Sequence, residues 1–185
     1  MRLLRALPAL VLIAAAPDRR YTIDAAASGV SARVAFFGVA SKTARFPRVS
    51  GGIALASGQP EQIDLKVSID ATALTAPDSV TLARLKGPGF FDVARYPTIS
   101  FAGREMRMTS NRNARIAGQI TARGVTRPAV LAVQFSASPL RSDARTPLTL
   151  DGETVIDRRA FAMTAYPLIV GRKVTIRIRA TLVPT

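Results

Sequence analysis

Apolar and polar residues alternate with a period of two along most of this chain, and the alternation is cleanest near its end. There Val174, Ile176, Ile178, Ala180 and Leu182 fall on one parity while Lys173, Thr175, Arg177, Arg179 and Thr181 fall on the other. This predicts a strand over 172–183 with an apolar inner face and a basic outer one. Ile63, Leu65, Val67 and Ile69 alternate in the same way with Gln62, Asp64, Lys66, Ser68 and Asp70. Ile116, Gly118 and Ile120 do so ahead of Gly124, and Ala129, Leu131, Val133 and Phe135 resume the period after it, so this stretch reads as a hairpin that reverses at Gly124. Further strands are predicted over 21–24 and 30–39, broken by a bend or bulge at Ser28-Gly29, around Ile53 and Leu55, over 98–109 and over 148–157. Within 98–109, Ile99 and Phe101 share one parity and Met106 and Met108 the other, with Gly103 between them. That slip of phase predicts a β-bulge.

Over 71–88 the period of two is lost. Val80, Leu82 and Leu85 have helical spacing behind Asp78, a candidate N-cap, and Pro88-Gly89 ends the run. One short helix over 79–86, lying across a barrel mouth, is the expectation. The fold class is therefore all-β and antiparallel, with eight strands that each keep one polar face. Closure into a barrel removes the edges an open sheet would expose, and an eight-stranded barrel is wide enough to fill with side chains or to hold one small ligand. The inverse arrangement, an outer-membrane barrel with arginines in its lumen, lacks the aromatic girdles such barrels carry.

Four segments share a further feature. Residues 36–51 (FFGVASKTARFPRVSG), 89–101 (GFFDVARYPTISF), 116–128 (IAGQITARGVTRP) and 152–163 (GETVIDRRAFAM, followed by Val170-Gly171) each resemble, in order and spacing, the motifs of the YceI-like family of secreted lipid-binding barrels. The resemblance implies an eight-stranded antiparallel lipocalin-like barrel with one short helix near the mouth. It also implies a polyisoprenoid or similar long-chain amphiphile as ligand. The chain departs from the family pattern where relatives often carry histidine, here Ala40 and the run Leu82-Ala83-Arg84-Leu85, so the way a headgroup would be held is not carried over.

Composition narrows the chemistry. The chain has 185 residues without cysteine or histidine, which removes disulfides, thiol nucleophiles, the usual neutral-pH base and the commonest metal ligands. No metal and no cofactor is expected, apart from an isoprenoid lipid or quinone held as ligand. Arg2, Arg5 and the short apolar run 6–16, ending Ala14-Ala15-Ala16, have the layout of a secretory signal; the run is well short of the ~20 residues that span a bilayer. The expected organisation is a signal peptide over 1–16, one domain over 17–185, and a periplasmic or secreted destination. The net charge of +14 raises nucleic acid as a partner, but the cations are scattered singly on alternating strand positions and aromatic residues for stacking are few. No nucleic acid is expected. Contact with an anionic membrane surface is the softer consequence of the charge, and the protein is expected to be a monomer or homodimer.

Asp24, Asp92 and Asp157 are the candidates for acid or base work, but each has a simpler role: Asp24 and Asp92 cap turns, and Asp157 abuts Arg158-Arg159 as an ion pair. No nucleophile elbow or phosphate loop is present, and no catalytic residue is assigned. The apolar set carries the functional expectation. Phe36, Phe46, Ile53, Leu55, Phe90, Phe91, Ile99, Phe101, Phe135, Phe161 and Met163 are candidates to line a cavity, with Phe90-Phe91-Asp92 at its entrance. Arg45, Arg48, Arg84, Lys86 and Arg95 are the candidate rim cations for an anionic headgroup. The leading reading is a non-catalytic carrier of a long-chain amphiphile; a fully packed barrel acting through its basic surface and a hydrolase working with carboxylates alone are the alternatives.

Overall fold

A computed structural model describes residues 19–56, 58–59, 61–141 and 145–185; the expected signal peptide over 1–16 lies outside the described residues. Ten strands occur in chain order: β1 (Arg19–Ile23), β2 (Gly29–Phe36), β3 (Ala40–Phe46), β4 (Val49–Leu55), β5 (Gln62–Asp70), β6 (Thr98–Met108), β7 (Asn113–Ala122), β8 (Val125–Phe135), β9 (Leu148–Asp157) and β10 (Val170–Pro184). They make eight staves. The long β10 pairs through its last residues with β1 and through its first part with β2, while β4 pairs with β1 and β3 with β2. Thus β1 and β2 are one stave bent at 24–28, and β3 and β4 another bent at Pro47-Arg48. The ring then runs through β5, β6, β7, β8 and β9 back to β10, every pairing antiparallel.

The inner positions of each strand are the apolar ones, so the apolar face lines the interior and an outer-membrane orientation is excluded. Outside, Arg177 lies opposite Glu153 and Arg179 opposite Asp151 across the β9–β10 pair, at 2.9 and 2.8 Å. These exposed pairs set register more than stability. The expected bulge in β6 is present: the β6–β7 register shifts between Gly103 and Glu105, which turns Met106 into the core. The hairpin reverses where expected, with Arg123 and Gly124 both at positive φ and Ala122 opposite Val125, the geometry of a two-residue turn that matches strand twist.

Most strand ends fall within two residues of the sequence reading, and two differences bear on the mouth. The strand expected over 30–39 stops at Phe36, because Phe37 (φ 52°) and Gly38 (φ 72°) reverse the chain into β3. The last strand begins two residues earlier than expected, at Val170.

The ring is complete at one end only. β3 has no second strand neighbour; its free edge meets the returning chain at a single bridge between Arg45 and Thr75. Residues 71–97 lie across this gap, and they contain the expected helix, α1 (Ser79–Lys86). Asp78 caps it, accepting from the Thr81 amide at 2.7 Å and the Thr81 hydroxyl at 2.8 Å. At the other terminus the chain leaves the helix at Gly87, one residue before Pro88-Gly89. No residue of α1 is fully buried, although Leu82 and Leu85 touch the core.

Candidate ligand-binding cavity

Two adjoining spaces with shared walls lie in the barrel, an inner one that reaches from the mouth side down to Ile23, Phe135 and Leu182 of the closed end and an outer one at the mouth. The inner one, about 130 Å³, is walled by the inward faces of the strands, including Ile53, Val67, Ile99, Ile116, Leu131 and the β10 row Val174, Ile176 and Ile178. Apolar cavities of this size stay dry and accept an apolar ring. The outer one, about 400 Å³, lies between β2, β3, α1 and the loop that precedes β10. Ala32, Phe91, Arg158, Met163 and Val174 belong to the walls of both. Phe91 is held at this junction by its amide, which donates to the Leu85 carbonyl at 3.0 Å, and by an edge-to-face contact with Phe46 at 5.4 Å.

The sequence-predicted residues distribute as follows. Phe46, Ile53, Ile99, Phe101 and Phe135 line the inner space, Phe36 and Phe90 the outer one, and Phe91 and Met163 both. Leu55 and Phe161 line neither. Leu55 is core at the closed end, and Phe161 packs in a side cluster with Ile120, Ala122 and Met163. Among the expected rim cations only Arg84 reaches the outer space, where its guanidinium lies 5.1 Å from the Tyr166 ring centre. Arg45 is tied by backbone hydrogen bonds to Thr75, Arg48 pairs with Asp70 at 3.3 Å, Arg95 sits 4.0 Å from Asp92, and Lys86 lines neither space.

Three residues of the site were not read from the sequence. Lys42 lines the outer space, 3.0 Å from Asp78 and 5.6 Å from the Phe36 ring centre. Tyr166, in a left-handed conformation, stacks on Phe90. Arg158 is 2% exposed and donates to the carbonyls of Gly171, Met163 and Val170, clamping the turn after β9 to the start of β10. It faces the Phe90 ring at 5.8 Å. The ion pair expected between Asp157 and Arg158-Arg159 is not formed: Asp157 pairs with Arg172 at 2.6 Å and accepts from the Arg159 amide. The Arg158-Arg159 doublet was the available signal, since a short turn can bury only one of two neighbours.

Electrostatics separate the two spaces. The Thr81 amide, Lys42 and the Thr81 hydroxyl hold the Asp78 carboxyl down at about 2. The hydrogen bond from Arg172, then that from the Arg159 amide, keep Asp157 below the usual carboxylate range. The Arg158 pKa is lowered as well, by burial and then by the charge of Arg159 against the opposing pull of Asp157, but for a cation this shift disfavours the charged form. Arg158 stays a cation nonetheless. Besides Arg158, the only polar residues of the inner wall among the described residues are Ser100 and Thr154. Neither has a base beside it, and among the described residues no three His, Cys, Asp or Glu side chains converge as a metal site. Asp24 caps the turn after β1, accepting from the Ala26 amide at 2.9 Å, and the buried Asp92 holds a tight turn through its carbonyl. What this arrangement can do is take an apolar chain out of water.

Known proteins share this architecture. BcnA of Burkholderia cenocepacia superposes with a TM-score of 0.75 at 20% identity, over 86% of this chain and 98% of its own. A polyisoprenoid binding domain from Saccharophagus degradans, implicated in plant cell wall breakdown, gives 0.67 at 16% identity over 89% and 98%. The YceI protein of Campylobacter jejuni gives 0.64 at 17% identity over 77% and 84%. In sequence, a UPF0312 protein of Pseudomonas savastanoi pv. phaseolicola is 26% identical over 86 residues, 46% of this chain and 45% of that one. The matched stretch thus spans about half the length of that relative. Residues 21–182 match the family model described as YceI-like domain, nearly the whole barrel from β1 to β10, and the chain belongs to the YceI-like family.

Proposed function

We propose that this protein is an exported, non-catalytic carrier that holds a long-chain amphiphile, a polyisoprenoid or a comparable lipid, with its tail in the inner cavity and its polar end in the outer space. The observation that carries this reading is an interior walled by apolar side chains, with Ser100, Thr154 and Arg158 as the polar exceptions, that adjoins an opening bearing Lys42, Asp78 and Arg84. Each methylene moved from water into such a wall gains about 0.8 kcal/mol, so the tail end of such a chain binds there by partition without any bond-making group. The Saccharophagus domain, described as polyisoprenoid binding, supports the ligand class. Export through removal of the 1–16 segment fits a carrier that works outside the cytoplasm; N-terminal sequencing of secreted material tests it.

Phe91 is the residue on which the reading turns. It stands where the two spaces meet, so a charge there blocks the apolar path while leaving the closed end of the barrel untouched. Phe91→Glu is expected to keep a native far-ultraviolet circular dichroism spectrum and to lose uptake of a fluorescent polyprenyl probe, because an unpaired carboxylate in a dry path costs several kcal/mol. Unchanged uptake by folded Phe91→Glu would count against the cavity and in favour of a packed barrel acting through its surface.

A further inference from the structure

Eight large apolar side chains are conspicuously exposed among the described residues, and five of them, Phe37, Val39, Val80, Tyr166 and Leu168, stand around the opening. Val39 and Leu168 are 95% and 96% exposed. They sit on two loops that form one continuous lip, joined where the Phe37 amide donates to the Ile169 carbonyl at 2.8 Å. Phe37, Val80 and Tyr166 also line the outer space, so the lip and the cavity are one apolar surface.

Cations surround that lip. The carboxylates at this end, Asp70, Asp78, Asp92 and Asp157, each already face a cation: Arg48, Lys42, Arg95 and Arg172. Arg84 on α1, Arg159 after β9 and Lys173 at the start of β10 are exposed, and among the described residues none has a carboxylate at ion-pair distance. Apolar tips flanked by unpaired cations suit a phospholipid surface, where the tips enter the acyl boundary and the cations meet phosphates. They suit a second copy of this chain poorly, because two such mouths would bring like charges together.

We propose that the mouth lip, Phe37, Val39 and Leu168, docks on an anionic bilayer with Arg84, Arg159 and Lys173 against the headgroups. This sets the cavity opening on the surface where an amphiphilic ligand resides. The proposal rests on the carrier reading for its purpose, but not for its test.

The chain has no tryptophan, so Leu168→Trp supplies a single reporter. With vesicles of equal phosphatidylglycerol and phosphatidylcholine its emission is expected to shift to the blue, with pure phosphatidylcholine far less, and added salt should weaken the shift. The Phe37→Ser/Val39→Ser/Leu168→Ser protein, tested by co-sedimentation, is expected to bind anionic vesicles at least about tenfold more weakly than wild type. Arg84→Gln/Arg159→Gln/Lys173→Gln is expected to lose the preference for phosphatidylglycerol. Val130→Ser/Val155→Ser, on the barrel flank, is expected to bind as wild type does. Vesicle binding unaffected by the lip substitutions, or absent in wild type, overturns the proposal. So does a wild-type dimer in sedimentation velocity that the lip substitutions convert to monomer, since the lip would then be a subunit interface. Polyprenyl-probe uptake in vesicle-free solution separates the two readings: its absence beside intact vesicle docking removes the carrier function and leaves the docking surface.

Discussion

At the end of the barrel where β1 closes the ring between β4 and β10, Met106 and Leu148 are each at most 1% exposed and line neither space. At the other end β3 has no strand on its far side and α1 has no fully buried residue. One end is held by burial. The other has fewer buried anchors, Leu74 and Phe90 among them, and adds a helix cap, a few ion pairs and a buried arginine that bonds to loop carbonyls. Burial acts cooperatively over the whole ring, whereas caps and clamps act locally, so the mouth is expected to open at a lower cost than the floor. Segments through which ligands enter are drawn from this less stable part of a fold.

The harshest way to break that contrast is to place a charge in the floor. Met106→Lys puts an ammonium at a side-chain position that is 0% exposed, at a cost of several kcal/mol. That is comparable with the entire ~5–15 kcal/mol stability of an ordinary domain. Loss of cooperative urea unfolding is expected. Val80→Lys, at a mouth position that is 58% exposed, is expected to move the unfolding free energy by no more than about 0.5 kcal/mol. Similar losses from both substitutions would mean that the two ends are one cooperative unit.

A middle-sized effect is expected at Arg158, which ties the turn after β9 to β10 by three hydrogen bonds to carbonyls. Arg158→Met frees those carbonyls and removes a charged donor, a loss on the order of 3 kcal/mol. Arg158→Lys should not restore it, because one ammonium cannot copy a planar fork that meets three acceptors. Chemical denaturation of the three proteins checks this. Full rescue by lysine would reduce the clamp to a simple charge effect.

The strands, the hairpin and the helix cap were legible in the sequence, and the long-range contacts of the mouth were not, for a physical reason. Strand alternation, the Gly124 turn, the phase slip around Gly103 and the Asp78 cap are written in residues within a few positions of one another, which is the range over which periodicity and capping operate. The end of β2 was hidden because Phe36, Phe37 and Val39 continue an apolar run, and only Gly38 hints at the reversal. Lys42 meets Asp78 from 36 residues away, and no local pattern announces such a pair. Arg45, Arg48, Lys86 and Arg95 lie close in sequence to the mouth segments, but the backbone bridge to Thr75 and the bend at Pro47-Arg48 direct the first two elsewhere, and Arg95 sits against Asp92. The aromatic and aliphatic wall was easier to read, since inward parity follows from strand period; Leu55 and Phe161 share that inward character but lie outside the two spaces.

The smallest expected effect tests whether the mouth is a separate unit at all. The Asp78 carboxylate caps α1 through Thr81 and pairs with Lys42 at 3.0 Å, and these contacts hold its pKa at about 2 against an ordinary 3.8. A carboxyl whose folded-state pKa lies below its unfolded one contributes fully above the unfolded value, and the contribution fades as pH falls through the folded one. The cap therefore stays intact from neutral pH down to the ordinary carboxylate range and is lost only toward pH of about 2. Asp78→Ala removes it at every pH. In hydrogen exchange near neutral pH, the amides of Thr81 and Leu82 in this variant are expected to exchange faster than in wild type, while the global melting midpoint barely moves. The two proteins should converge in α1 as pH approaches about 2. A large drop in the global midpoint would show that α1 is welded to the floor, and the mouth would then have no independent motion with which to admit a ligand.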